Sequence, residues 1–84
     1  MKSEVVLYGS NACHKTKYYM DYLSKIKIEY VFYDVIKDID SAADLRRLYE
    51  TDKLNFPTIL IGDKKLRNPS DNDLNRWLAK KIIN

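Results

Sequence analysis

A strand-type run, a helical run and a second strand-type run follow one another near the start of the chain, and that succession limits the fold more than any other feature. Glu4-Val5-Val6-Leu7-Tyr8 is short, aliphatic and β-branched, and the Gly9-Ser10-Asn11 behind it are turn formers and helix-capping types. From about Ala12 to Ile26 there is neither proline nor glycine. Thr16, Tyr19, Met20, Leu23 and Ile26 recur there at three- and four-residue spacing, which predicts an amphipathic helix opening at the cysteine. Ile28 to Val35 is dense in isoleucine, valine, tyrosine and phenylalanine and predicts a second strand ending near Asp34. Such a βαβ unit joins two parallel strands through a helical crossover, so the expected class is α/β.

Ser41 with Asp44 three residues later resembles a capping box with Asp in place of Glu, and Leu45, Leu48 and Tyr49 supply a helical face running to about Asp52. Pro57-Thr58-Ile59-Leu60-Ile61 predicts a strand with proline at its first position, where the missing N–H costs no ladder bond. Gly62-Asp63 is a two-residue hairpin turn, so Lys64 to Arg67 is expected to return antiparallel. Ser70 with Asp73 repeats the capping signature, and Leu74, Trp77, Leu78 and Ile82 form the apolar stripe of a last helix. The order is β-α-β-α-β-β-α: a four-stranded mixed sheet flanked by three helices. With no linker, repeat or low-complexity segment, residues 1–84 are expected to form one domain around one core.

Composition excludes several classes of function. The single cysteine cannot form an internal disulfide, and with one histidine it cannot complete a structural zinc site, so no metal site is expected. The net charge of +3 comes from lysines scattered among aspartates rather than gathered in a stripe, which argues against a nucleic-acid partner. No apolar run approaches the roughly 18 residues of a membrane span, and no leader pattern precedes the first strand. A monomer in the cytoplasm, not bound to membrane, is the expectation.

The chemistry gathers at Cys13. A thiol is a nucleophile only as the thiolate, and the N–H groups and dipole at a helix start favour an anion there. His14, Lys15 and Lys17 offer potential positive charge within a turn, which lowers the thiol pKa further where they point inward; the alternative is a small buried apolar cysteine beside a solvated basic face. Thr16 stands one helical turn on, where its hydroxyl can hydrogen-bond the Cys13 sulfur; the alternative is an ordinary threonine bonding a carbonyl of its own helix.

The strand Val5-Val6-Leu7-Tyr8, the cysteine opening the next helix and the proline opening the third strand together resemble a glutaredoxin of the thioredoxin-like superfamily, over nearly the whole chain. The resemblance implies the thioredoxin-like fold, a cis peptide bond between Phe56 and Pro57 facing the cysteine, and a bound thiol peptide pairing with that backbone like an added strand. It also implies glutathione as co-substrate, with no bound cofactor. Dithiol glutaredoxins carry C-x-x-C, whereas this chain has Cys13-His14-Lys15-Thr16, so no second sulfur resolves a mixed disulfide. That leaves a monothiol cycle, in which Cys13 takes an adduct and an external thiol releases it.

The glutathione site is matched in part. Ser10-Asn11 stands where the family has a lysine, and Asn68-Pro69 where it has a Gly-Gly pair, which removes the easy approach of backbone to ligand. The last helix start at Ser70 and Asp71 remains, its N–H groups suited to a peptide carboxylate and Asp71 to an amino group or simply to the helix dipole. The reading is a thiol–disulfide oxidoreductase with Cys13, Thr16 and His14 catalytic and Asn11, Phe56, Pro57, Ser70 and Asp71 binding a disulfide-containing protein or glutathione. Two others stand beside it. One is a redox-inactive thioredoxin-fold module binding a peptide strand. The other is an iron–sulfur carrier, although the C-G-F-S of cluster-binding relatives is matched only by the lone cysteine and the serine-like Thr16.

Overall fold

The computed structural model describes residues 4–83, with side chains to residue 81. Its elements are β1 (Val5–Gly9), α1 (His14–Lys25), β2 (Val31–Asp34), α2 (Ile39–Tyr49), β3 (Thr58–Ile61), β4 (Lys64–Arg67) and α3 (Asp71–Leu78), with a π-type turn over Ala79–Ile83 prolonging α3. The sheet order is β2-β1-β3-β4, with β1 parallel to β2 and the other pairs antiparallel. This is the mixed sheet expected from the residue pattern, with the thioredoxin-like topology that the resemblance implies.

The period of two along β1 splits the interior instead of making one core. Val5 and Leu7 point to one face, where Ile59 and Ile61 of β3, Tyr19 and Leu23 of α1, and Leu74 and Leu78 of α3 close over them. Tyr8 points to the other face and packs with Val35 and with Ala42 and Leu45 of α2. The chain is thus an α/β/α sandwich with two helices on one side and one on the other. The side chain of Ile82, expected in the α3 stripe, lies outside the described residues.

The boundaries differ from expectation by one residue at β1, which runs Val5–Gly9, and at β3, which Pro57 precedes instead of opening, and by more at three places. The second strand starts at Val31 and not at Ile28, because Lys27 takes a left-handed φ of 60° and the Ile28 N–H turns back to the Leu23 carbonyl at 2.9 Å, so Ile28 to Tyr30 connect rather than pair. The cap of α2 is Asp38, whose carboxylate accepts from the Asp40 N–H at 3.3 Å; Ser41 lies inside the first turn and donates its hydroxyl to Asp38. At its other end α2 stops at Tyr49, where Glu50 turns left-handed with φ 53°. The hairpin turn at Gly62, with φ 60°, and the Ser70 cap, bonded to the Asp73 N–H at 3.2 Å, are as expected.

Among the described residues, no helix is long and apolar enough to cross a membrane, and no group of three or more His, Cys, Asp or Glu side chains is placed to hold a metal ion.

Candidate active site

Topology brings the cysteine and the proline to the same end of the sheet. In the β1–β2 ladder Gly9 pairs with Asp34, and in the β1–β3 ladder Tyr8 pairs with Thr58. The loop leaving Gly9, the turn leaving Asp34 and the Phe56-Pro57 segment entering β3 therefore share the edge at the carboxyl ends of the parallel strands, where open α/β sheets place their sites. The Phe56-Pro57 peptide bond is cis, Pro57 is buried, and Phe56 packs against the Tyr8–Leu45 cluster. The Pro57 carbonyl accepts the Asn68 N–H at 3.0 Å, which brings the β4–α3 loop alongside.

Cys13 is the N-cap of α1, in extended conformation, partly exposed and unpaired with any other cysteine. Its pKa lies below the ordinary thiol value. The Thr16 hydroxyl is the largest cause, followed by the Thr16 N–H and then, against the opposing effect of burial, by the N–H and charge of Lys15. Thr16 is fully buried. Its Oγ1 accepts the Ser10 N–H at 3.2 Å, which leaves the hydroxyl proton to point at the sulfur. His14 lies exposed on the first turn.

The loop carrying the thiol is tightly bonded. The Cys13 N–H donates to the Ser10 carbonyl at 3.0 Å and the Ala12 N–H to Ser10 Oγ at 3.2 Å. The N–H of Asn11, itself exposed, reaches Asp34 Oδ2 at 3.4 Å. Gly9, before the loop, has Thr16 pressed against it: a Cβ there would lie 2.5 Å from both Thr16 Cγ2 and Oγ1.

The start of α3 at Ser70 and Asp71 is joined to the thiol's helix, α1, through tyrosine hydroxyls. The Tyr18 hydroxyl donates to the Asp71 carboxylate at 2.7 Å, and the Tyr19 hydroxyl to Asn68 Oδ1 and the Pro69 carbonyl. Asp71 thus already holds a hydroxyl donor, and the Ser70 side chain is committed to its cap. Residue pattern alone did not single out Gly9 or Asp34 as parts of the site. The only trace of either was the turn composition after β1 and the aspartate closing β2.

The sequence matches the family model described as Glutaredoxin over residues 5–66. No curated protein matches it by sequence. Among solved structures it is similar to a glutaredoxin from Archaeoglobus fulgidus (TM-score 0.76, 16% identity, covering 90% of this chain and 86% of that one). It is also similar to the thioredoxin-like protein BC3987 (TM-score 0.71, 26% identity, 88% and 99% covered). A third similar structure is a buckwheat glutaredoxin in complex with glutathione (TM-score 0.73, 14% identity, 95% and 76% covered).

Proposed function

The chain belongs to the glutaredoxin family, and we propose that it is a thiol–disulfide oxidoreductase working through Cys13 alone. The observation that carries this reading is the buried Thr16 hydroxyl, held by the Ser10 amide with its proton free for the Cys13 sulfur, in the position a resolving cysteine would occupy. A hydroxyl there favours the thiolate and cannot trap it in a disulfide.

The cycle is a pair of exchanges. The Cys13 thiolate attacks the glutathione sulfur of a protein–glutathione mixed disulfide; the S–S bond breaks, the protein leaves as thiolate and is protonated, and Cys13 carries the glutathione. A second glutathione, as thiolate, attacks that adduct, releasing glutathione disulfide and restoring the Cys13 thiolate. One glutathione thiol enters per cycle: its sulfur is oxidised to the disulfide as the protein's sulfur returns to a thiol, and the enzyme ends unchanged. The buckwheat structure supports glutathione as the co-substrate. In this reading the substrate backbone lies along Phe56-Pro57, Asn11 lines the thiol's loop, and the start of α3 at Ser70 and Asp71 receives the polar ends of glutathione. Lys15 adds positive charge beside the thiol, and His14 stands exposed on the same turn of α1. A cycle that consumes glutathione suits the reducing cytoplasm, and it needs only one copy of the chain.

The test is the rate of Cys13 alkylation against pH, repeated with glutathione disulfide as the electrophile. A midpoint below the free-thiol value and a saturable glutathionylation, both lost in Cys13→Ser, are expected. A free-thiol profile with no glutathionylation would turn the reading toward a redox-inactive peptide-binding module.

A further inference from the structure

We infer that Asp34, which is outside the thiol's own contacts, is a positioning residue that anchors the Cys13 loop to the sheet. The inference rests on Cys13 being the reactive thiol.

The four amides from Ser10 to Cys13 are all bonded. Those of Ser10, Ala12 and Cys13 find acceptors within the loop and the first turn of α1: Thr16 Oγ1, Ser10 Oγ and the Ser10 carbonyl. These bonds hold the loop together as one unit with the helix start but do not fix that unit to anything else. The Asn11 amide is the one that leaves the unit, reaching Asp34 Oδ2 across a sequence separation of 23. Asp34 is well suited to the task, because its other oxygen is held by the Ile36 and Lys37 amides at 2.9 and 3.1 Å. Its backbone is held too, through pairing with Gly9 and through the Val35 N–H on the Gly9 carbonyl at 2.9 Å. A carboxylate locked at one oxygen presents the other in a set direction, and that direction is the loop.

Burial opposes the charge of Asp34, but the Lys37, Ile36 and Asn11 amides outweigh it and, with the Lys37 ammonium, hold the carboxyl below the usual range. The acceptor is therefore ionised at neutral pH. From there the effect runs through Ser10 to Thr16 and from the Thr16 hydroxyl to the sulfur, so a loosened loop weakens the bond that most favours the thiolate.

Asp34→Asn separates this role from simple electrostatics by sign. The amide oxygen can still serve Ile36 and Lys37, while its NH2 faces the Asn11 N–H, donor against donor. Removing a negative charge near a thiol would by itself lower the thiol's pKa; loss of the anchor raises it. We expect the Cys13 alkylation midpoint to rise by about half a pH unit, which is about threefold less thiolate below the midpoint. Urea unfolding should stay close to wild type, and the Asn11 and Cys13 amides should exchange with solvent faster. A midpoint that is unchanged or lower, or unchanged exchange at Asn11, overturns the inference. If wild type itself shows a free-thiol profile, the oxidoreductase reading falls, and amide exchange at Asn11 still decides whether Asp34 anchors the loop.

Discussion

Thr16 lies so close to Gly9 that the β-carbon of any larger residue there would stand 2.5 Å from both its methyl and its hydroxyl. Gly9 is the last residue of β1 and Thr16 the first buried residue of α1, so this contact sets how closely the thiol-bearing helix approaches the strand it follows. The same threonine accepts the Ser10 amide and acts on the Cys13 sulfur. One side chain thus spaces the helix from the sheet and supports the nucleophile.

Gly9→Ala should therefore destabilise the fold by about 1–3 kcal/mol, the range for overpacking a close contact. Its cause is distinguishable by a double-mutant cycle in urea: on a Thr16→Ala background, where the methyl and hydroxyl are gone, the added methyl should cost about half as much or less. Equal costs on both backgrounds would mean that the glycine is needed for another reason.

Thr16→Val keeps the shape and removes the hydroxyl. The Ser10 amide, in a buried residue, loses its acceptor, which should cost about 1–3 kcal/mol. The Cys13 alkylation midpoint should rise toward that of a free thiol, while Thr16→Ser should keep the wild-type profile. A Thr16→Val variant with unchanged thiol titration would remove Thr16 from the mechanism.

The lowered Cys13 pKa also makes stability depend on pH. A thiol whose pKa is depressed on folding contributes stability that is fully present above its unfolded value, about 8.5, and is lost as pH falls through the folded value. Urea midpoints of wild type relative to Cys13→Ser should therefore climb with pH across that interval and then level off. Tyr8 and Tyr19, raised mainly by burial, and Tyr18, raised mainly by its bond to Asp71, act in the opposite direction. Their contribution is lost only as pH climbs past about 10, so it leaves the thiol interval clear. A flat difference between the two proteins would contradict the depressed thiol.

The elements were legible because each rests on local chemistry. The valines of β1, the Gly62-Asp63 turn and the Ser70 cap are signals carried within a few residues, and the structure follows them. Ser41 with Asp44 carries a capping signature, but the cap of α2 is Asp38, which Lys37 and Asp40 disguise as part of a charged run. Cys13 and Thr16 were visible together because one helical turn separates them. The Gly9–Thr16 contact and the Asn11–Asp34 bond depend on the packing of α1 against the strand and on the β1–β2 register, and no residue spacing encodes either.

Both long helix ends use a left-handed residue that is not glycine. At the end of α1, Lys27 and Ile28 donate to the Ser24 and Leu23 carbonyls; at the end of α2, Glu50 and Thr51 donate to those of Arg47 and Arg46. Each is a Schellman arrangement with φ of 60° at Lys27 and 53° at Glu50, where a β-carbon is unfavourable. Lys27→Gly and Glu50→Gly should each stabilise the fold by about 0.5–1 kcal/mol, the relief of the β-carbon exceeding the added chain entropy. Both variants should leave thiol reactivity alone. Destabilisation in urea would mean that the side chains contribute more than their backbone strain removes.

Thr16→Cys tests what the missing sulfur means. Two sulfurs one turn apart at a helix start can adopt bridge geometry, so the variant gains an internal route for resolving a mixed disulfide with a protein. Wild type should act well on glutathione mixed disulfides and poorly on insulin-type protein disulfides, and the substitution should narrow that gap. It should also lower stability, since sulfur is a weaker acceptor than oxygen for the Ser10 amide. The two effects have separate readouts, a rate ratio between substrates and a urea midpoint. If wild type already reduced protein disulfides as fast as the variant, Cys13 would need no partner thiol for that reaction, and the hydroxyl at Thr16 would have to be explained by its bond to Ser10 and its contact with Gly9 alone.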